Sequence, residues 1–219
     1  LVPSPGVNYG SAAAKHFGVP GAMASAESAM IGRDIALALD TGARVLFQHV
    51  SSAQSVALIR AGKAMGAKIY AEVTPHHLSL TEDDVPAHGT YARMNPPLRK
   101  EADRQALIAA LADGTIDMIA TDHAPHSAEE KGRGLEKSAM GIVGLETAFP
   151  LLYTELVKPG VISMERLMEL LHDAPCRRFN IPTDTGFTVF DLNDTYRIDP
   201  ADFLSMGKAT PFTGWEVQG

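Results

Sequence analysis

The side chains best suited to chemistry follow a short apolar run late in the chain. Residues 118–120 suit a strand buried on both faces, and they lead directly into Asp122, His123 and His126, with Pro125 in the turn. A carboxylate and imidazoles at the carboxyl end of a buried parallel strand stand where α/β barrels keep their catalytic groups. We therefore interpret this segment as part of a reactive site rather than as a surface loop.

Two earlier apolar runs also end in ionisable residues. Residues 44–50 are rich in β-formers and contain His49, and residues 68–74 precede His76 and His77. Because the carboxyl ends of parallel strands lie side by side, His49 and Asp122 are predicted to share one cation, for which imidazole and carboxylate suit Zn²⁺. For His76 and His77, metal contact and a structural role both stay open.

Helical patterns separate the three predicted strands. One helix is expected between Ser25 as its cap and Gly42, a second after Ser51-Ser52, and a third over 101–112. Alternation of strand and helix predicts βαβ units with a parallel sheet. Further along we expect a polar loop over 127–141 above the site, a helix over 142–157, a helix from Ser163 to Pro175, and a strand over 187–192.

Composition excludes several classes of protein. The 219 residues carry a net charge of -7, which argues against a nucleic-acid-binding surface. The single cysteine excludes an internal disulfide framework and fits a reducing compartment, so a cytoplasmic location is expected. No apolar run of about 18 residues predicts a membrane span, and no signal peptide is visible.

Four sequence motifs resemble those of a known family in their residues, order and spacing. They are F-Q-H-V-S-S (47–52), E-V-T-P-H-H-L (72–78), M-N-P-P-L-R (94–99) and I-A-T-D-H-A-P-H (119–126). Together with residues 141–152 and 211–215, they resemble the C-terminal half of a bacterial type I dihydroorotase of the amidohydrolase superfamily. The resemblance implies an α/β fold: strands six to eight of a (β/α)8 TIM-type barrel over 1–180, then part of a small accessory β domain over 181–219.

The resemblance also implies roles for individual residues. His49 matches a metal ligand at the sixth barrel strand, and Asp122 matches the eighth-strand aspartate that contacts the metal and moves a proton. Asn95 and His126 match residues that hold the substrate. The backbone near Met140 and Gly141 matches a loop that binds the pyrimidine ring, whereas Arg99 is a weaker candidate for contact with the anionic substrate.

The implied function is a zinc-dependent cyclic amide hydrolase, with one or two ions, that interconverts dihydroorotate and N-carbamoyl-aspartate in pyrimidine biosynthesis. A homodimer is expected, and association with aspartate transcarbamoylase is a further expectation from the family. Two alternatives stay open: a hydantoinase or allantoinase, and a non-catalytic dihydroorotase-like subunit that scaffolds aspartate transcarbamoylase.

This sequence departs from the family pattern in two places. The His-x-His pair, its neighbouring arginine, the bridging carboxylate and the fifth-strand histidine are not in this chain, so the first five barrel strands are expected to come from elsewhere. A segment that the family has between Thr185-Gly186 and Phe187 is also missing. Because three strands leave an open edge, we predict that residues 1–219 alone are unstable and inactive.

Overall fold

The computed structural model describes residues 6–183 and 186–219, and its centre is a parallel sheet of three strands. The strands are β1 (Val45–Phe47), β2 (Ile69–Val73) and β3 (Met118–Ile119), in the spatial order β1-β2-β3. Both pairings are parallel, so the carboxyl ends of all three strands meet at one edge. The three strands predicted from the apolar runs are confirmed, although each is shorter than its run.

Helices precede, separate and follow these three strands. In chain order the α-helices of the described residues are α1 (Ala12–Phe17), α2 (Ala24–Thr41), α3 (Ala53–Ala64), α4 (Pro75–Ser79), α5 (Val85–His88), α6 (Glu101–Ala112), α7 (Ala128–Lys131), α8 (Leu145–Leu152), α9 (Met164–Met168) and α10 (Ala174–Phe179). The predicted alternation is confirmed: α2 ends at Gly42 in the left-handed conformation, α3 begins after Ser52, whose hydroxyl accepts the Ser55 N–H, and α6 has the predicted bounds.

Three predicted boundaries are wrong. Helix α2 begins at Ala24 after Met23, so Ser25 lies inside the helix and does not cap it. Pro175 does not end the helix, because the helical segment that begins after Ser163 continues through a π-helical turn over Glu169–Asp173 into α10 and ends at Phe179. The apolar segment 142–157 is helical only from Leu145, with a π-helical turn over Tyr153–Val157 after α8.

The strand predicted over 187–192 is also wrong. Residues 187–191 carry no regular structure, and the side chain of Phe187 is 92% exposed. Phe190 instead stacks on Phe149, with ring centroids 3.6 Å apart. The strands of this part are β4 (Thr195–Arg197) and β5 (Glu216–Gln218), which pair antiparallel. The predicted omission between Gly186 and Phe187 stays a prediction.

Buried apolar side chains form two clusters with different positions. The first fills the space between the sheet and its helices and includes Ile35, Ile59, Val73, Leu107 and Ile119. The second packs together the loops and short elements of residues 7–19, 80–98, 135–151 and 198–217. The second cluster therefore carries the loop segments that contribute to the candidate site. Within the described ranges, no helix is both long and apolar enough to cross a membrane.

Candidate functional site

Two of the predicted site residues have an unusual backbone conformation. His49 has φ 39° and Asp122 has φ 48°, and among the described non-glycine residues only Asn180 joins them in the left-handed region. A positive φ strains a residue that has a Cβ, and such residues concentrate at functional sites. His49 follows β1 and Asp122 follows β3, so the same irregularity recurs at two strand ends on one edge of the sheet.

Strand β2 lies between these two ends and contributes a buried carboxylate that the sequence reading missed. The side chain of Glu72 is 8% exposed; burial raises its pKa, the nearby His49 lowers it, and Asp122 raises it. Burial likewise raises the pKa of Asp122, which His49 lowers. His49, Glu72 and Asp122 therefore form one electrostatically coupled group. The signal that could have identified Glu72 is its charge inside the apolar run 69–73.

The ring of His49 has an unused nitrogen. Its Nδ1 atom is buried and has no hydrogen-bond partner among the described residues. An orphaned buried imidazole nitrogen close to a carboxylate fits two of the ligands of a divalent transition metal. No group of three or more His, Cys, Asp or Glu side chains within residues 6–183 and 186–219 is arranged to hold a metal by itself. That His49 and Asp122 share one cation therefore stays a prediction.

The histidines that follow β2 are bound differently. His77 lies 3.0 Å from the Pro96 carbonyl through Nε2 and 2.7 Å from the Thr74 hydroxyl through Nδ1. Because a carbonyl only accepts, Nε2 carries the proton and Nδ1 accepts from the hydroxyl. Burial lowers the pKa of His77 to about 3, and burial also lowers the pKa of His76 well below its usual value. Both nitrogens of His77 are occupied, which favours a structural role.

Both ring nitrogens of His123 have partners within the protein, which disfavours a role as a metal ligand. Its Nδ1 accepts the backbone N–H groups of Gly144, at 3.1 Å, and Leu145, at 3.2 Å, at the start of α8. Its Nε2 lies 3.4 Å from the Ser205 hydroxyl. With Nδ1 an acceptor, the proton is on Nε2. His123 therefore satisfies two of the free N–H groups of α8 and joins β3 to the C-terminal segment.

The residues expected to bind substrate come together in part. His126 Nε2 donates to the Met140 carbonyl at 2.9 Å, and a Cβ added to Gly141 would stand 3.9 Å from the same nitrogen. The side chain of Asn95 is exposed, and its neighbour Pro96 is tied to the end of β2 through His77. The chain therefore places His126, Met140 and Gly141 in one cluster beside β3, and Asn95 beside β2.

Comparison with known proteins finds dihydroorotases among the most similar sequences. No family model matches the chain. A dihydroorotase of Brevibacillus brevis is 48% identical over 100% of this chain and 53% of its own length. A dihydroorotase of Bacillus cytotoxicus is 49% identical over 97% of this chain and 51% of its own length. The resemblance to the dihydroorotases is confirmed. The chain spans about half the length of these relatives.

Solved structures with the same fold include a hydantoinase and a dihydropyrimidinase. An L-hydantoinase of Arthrobacter aurescens superposes with a TM-score of 0.82 at 30% identity, over 87% of this chain and 45% of its own. A dihydropyrimidinase of Brevibacillus agri gives a TM-score of 0.82 at 24% identity, over 89% and 46%. The second likeness concerns the fold alone. The predicted α/β class is confirmed by the alternation of parallel strands and helices.

The arginine of the dihydroorotase word M-N-P-P-L-R is directed inward. Arg99 is 4% exposed and donates to the Asn8 side-chain oxygen at 2.6 Å, the Ala22 carbonyl at 2.7 Å and the Ser51 hydroxyl at 3.1 Å. Ser51 in turn donates its N–H, at 3.1 Å, and its hydroxyl to the Glu27 carboxylate. Arg99 therefore holds the loop that carries His49, and it is not available to an anionic substrate.

Proposed function

We propose that the protein containing this chain is a metal-dependent dihydroorotase that interconverts N-carbamoyl-L-aspartate and L-dihydroorotate. The observation that carries this proposal is the pair of left-handed residues, His49 and Asp122, at the carboxyl ends of β1 and β3. In this reading residues 1–180 supply strands six to eight of a (β/α)8 barrel, and residues 181–219 are part of an accessory β domain. Both assignments rest on the resemblance to the dihydroorotases, of which this chain spans about half the length.

His49 and Asp122 would hold zinc, as one or two ions, with the remaining ligands supplied by the part of the protein that this chain does not span. The orphaned Nδ1 of His49 supports that role. Bound zinc supplies a Lewis acid for the ring carbonyl and lowers the pKa of a coordinated water. Glu72 interacts electrostatically with both residues, and its carboxylate would add negative charge near the ion.

Asp122 has a second task in this mechanism. Its carboxylate takes the proton of the attacking water and returns it to the amide nitrogen that leaves when the ring opens. In the biosynthetic direction the same carboxylate accepts the proton of the carbamoyl nitrogen as the ring closes. In this proposal Asn95 and His126 bind the substrate carboxylate. The loop of Met140 and Gly141 binds the ring through the Met140 N–H, since the Gly141 N–H donates to the Arg93 carbonyl.

A hydantoinase-type activity is the second candidate. The 30% identity and TM-score of 0.82 to the L-hydantoinase favour it, because the two substrate classes share a cyclic amide. The dihydroorotase reading ranks first because the relatives of that name match at 48–49% identity. A non-catalytic subunit that scaffolds aspartate transcarbamoylase ranks lower, since the chain keeps both His49 and Asp122.

The cellular setting follows from the same family. We propose a homodimer that acts on a small anionic substrate in the cytoplasm, with association to aspartate transcarbamoylase as an additional interaction. The single cysteine, Cys176, is buried and unpaired, which agrees with a reducing compartment.

The test uses the full-length protein and a panel of substrates. Hydrolysis of dihydroorotate and cyclisation of N-carbamoyl-aspartate are expected, both lost after chelation and restored by Zn²⁺. Turnover of hydantoin or allantoin without dihydroorotate would transfer the proposal to the hydantoinase class. A folded protein that binds no metal and turns over none of these compounds would support the scaffolding subunit instead.

A further inference from the structure

A fully buried lysine lies beneath the loop that carries Met140 and Gly141. The side chain of Lys131 is 1% exposed, and its Nζ donates to the Ala139 carbonyl and the Gly141 carbonyl, each at 2.9 Å. No carboxylate in the described ranges forms an ion pair with it. A buried ammonium without a counter-charge is costly, so its two carbonyl contacts have to compensate for lost hydration. Such a residue is seldom retained for packing alone.

The two contacts fix the direction of the peptide groups between them. In a trans peptide the C=O and the following N–H point in opposite directions. Because Lys131 binds the Ala139 carbonyl, the N–H of Met140 points away from the lysine. This N–H donates to no acceptor within residues 6–183 and 186–219, whereas the Met140 carbonyl accepts from His126 and the Gly141 N–H donates to the Arg93 carbonyl. The loop therefore offers one uncommitted donor.

A second buried cation secures the preceding residues of the same loop. Arg93 donates to the Glu136 carbonyl at 3.0 Å and to the Ser138 hydroxyl at 3.5 Å. Burial, with the charge of Arg93 added, lowers the pKa of Lys131 to about 8. Loss of the ammonium proton leaves an amine with two N–H groups, and two carbonyls are the acceptors it has to serve. Lys131 can therefore hold the Ala139 and Gly141 carbonyls, a pair of contacts that we call the clamp, both above and below its pKa of about 8.

We propose that Lys131 is a positioning residue that aims the Met140 N–H at a ring carbonyl of the cyclic substrate. The residue acts through the loop and does not touch the substrate. The inference rests on the proposed function for the identity of the substrate, but the orientation of the loop is independent of it. Replacing the lysine with an apolar isostere should leave the Ala139 and Gly141 carbonyls unsatisfied and let the loop rotate.

The test compares Lys131→Met with Lys137→Met in the full-length protein. Lys137 is exposed and lies in the same loop, so its variant loses the same charge without the clamp. For dihydroorotate, Lys131→Met is expected to raise KM about tenfold or more with kcat within about threefold, because ground-state and transition-state binding are lost together. Metal content should not change. Lys131→Gln, which keeps two N–H donors, is expected to raise KM less than Lys131→Met, by about threefold.

Hydrogen exchange of residues 138–142 supplies a readout that needs no activity. Exchange is expected to accelerate in Lys131→Met and to match wild type in Lys137→Met. A KM within twofold of wild type for Lys131→Met, or unchanged exchange in the loop, would overturn the inference. If Lys131→Met is not recovered folded, Lys131→Gln decides by the same two measurements. If wild type does not turn over dihydroorotate, the proposed function fails, and the exchange data still decide the role of Lys131.

Discussion

The ends of β1 and β3 differ from the end of β2 in how their polar residues are bound. His49 and Asp122 have left-handed backbones, and the Nδ1 atom of His49 has no partner in the part of the chain that the structure describes. His77, after β2, lies in a regular helical turn with both ring nitrogens in hydrogen bonds. A histidine after a parallel strand is therefore a candidate ligand only where its nitrogens are not already committed to the protein.

The largest expected effect separates these two classes of residue. In the full-length protein, His49→Ala and Asp122→Asn should each lower kcat/KM for dihydroorotate by at least about 10³-fold, because each loses a ligand and Asp122→Asn also loses the proton carrier. Metal content should fall in parallel. At pH 7.5 the His77→Gln variant should keep the metal content of wild type, and its kcat/KM should fall at most about tenfold. Retention of metal and activity by His49→Ala would remove the distinction between the strand ends.

The next effect concerns how tightly the β3 end is held by backbone contact. A Cβ added to Gly207 would collide with the carbonyl groups of Pro125 and His126. We expect Gly207→Ala to lower the free energy of unfolding by about 2–4 kcal/mol and to reduce activity, since the 122–126 segment has to move. Gly32, in the middle of α2, provides the matched control. A Cβ added there would lie 3.9 Å from its nearest neighbour, Leu58 Cδ1, so Gly32→Ala should stabilise by about 0.5–1 kcal/mol. Equal stabilities, measured by urea unfolding, would show that the approach of residue 207 is not tight.

The central strands could be predicted from the sequence alone, whereas the conformation of residues 187–192 could not. The apolar runs and their helical spacers predicted the order of β1, α3, β2, α6 and β3, because each depends on local periodicity. The run at 187–192 alternates equally well and is not a strand, because its hydrogen-bond partners have to come from another segment and no segment within 6–183 and 186–219 pairs with it. Periodicity reports the capacity to form a strand, and pairing decides the outcome.

The residue types of the candidate site could be predicted from the sequence, but the hydrogen-bond partners and backbone conformations of those residues could not. His49 and Asp122 could be named from their place after apolar runs, but their left-handed backbones are a property of the folded chain. The partner of His77 is the Pro96 carbonyl, 19 residues away, so the sequence could not separate His77 from His49. Lys131 looked like an ordinary loop lysine, because burial by residues distant in the chain is invisible to local pattern.

An acid titration sharpens the contrast at the β2 end. Burial lowers the pKa of His77 to about 3, from 6.5 in the unfolded chain. Between pH 6.5 and 3 the His77 ring binds a proton in the unfolded state but not in the folded state. The contribution of His77 to the free energy of unfolding is therefore complete above pH 6.5 and is lost as the pH falls toward 3. For metal-free protein we expect His77 to contribute a slope of about 1.4 kcal/mol per pH unit in this window, absent in His77→Gln. Urea unfolding at pH 7.5, 5.5 and 4.5 measures it; parallel curves for the two proteins would contradict the neutral buried imidazole.

The smallest effect tests whether His123, next to Asp122 in sequence, shares its role. The Nδ1 atom of His123 accepts two N–H groups at the start of α8, so His123→Phe should cost about 1–2 kcal/mol of stability, the usual loss for a removed helix cap. His123→Asn, whose side-chain oxygen can accept one of these N–H groups, should recover part of that loss. Metal content and kcat should match wild type in both variants, because the ring is directed to α8 and Ser205 rather than to His49. Loss of metal from a folded His123→Phe protein would place His123 among the ligands, and the division between bound and unbound imidazoles would then fail at β3.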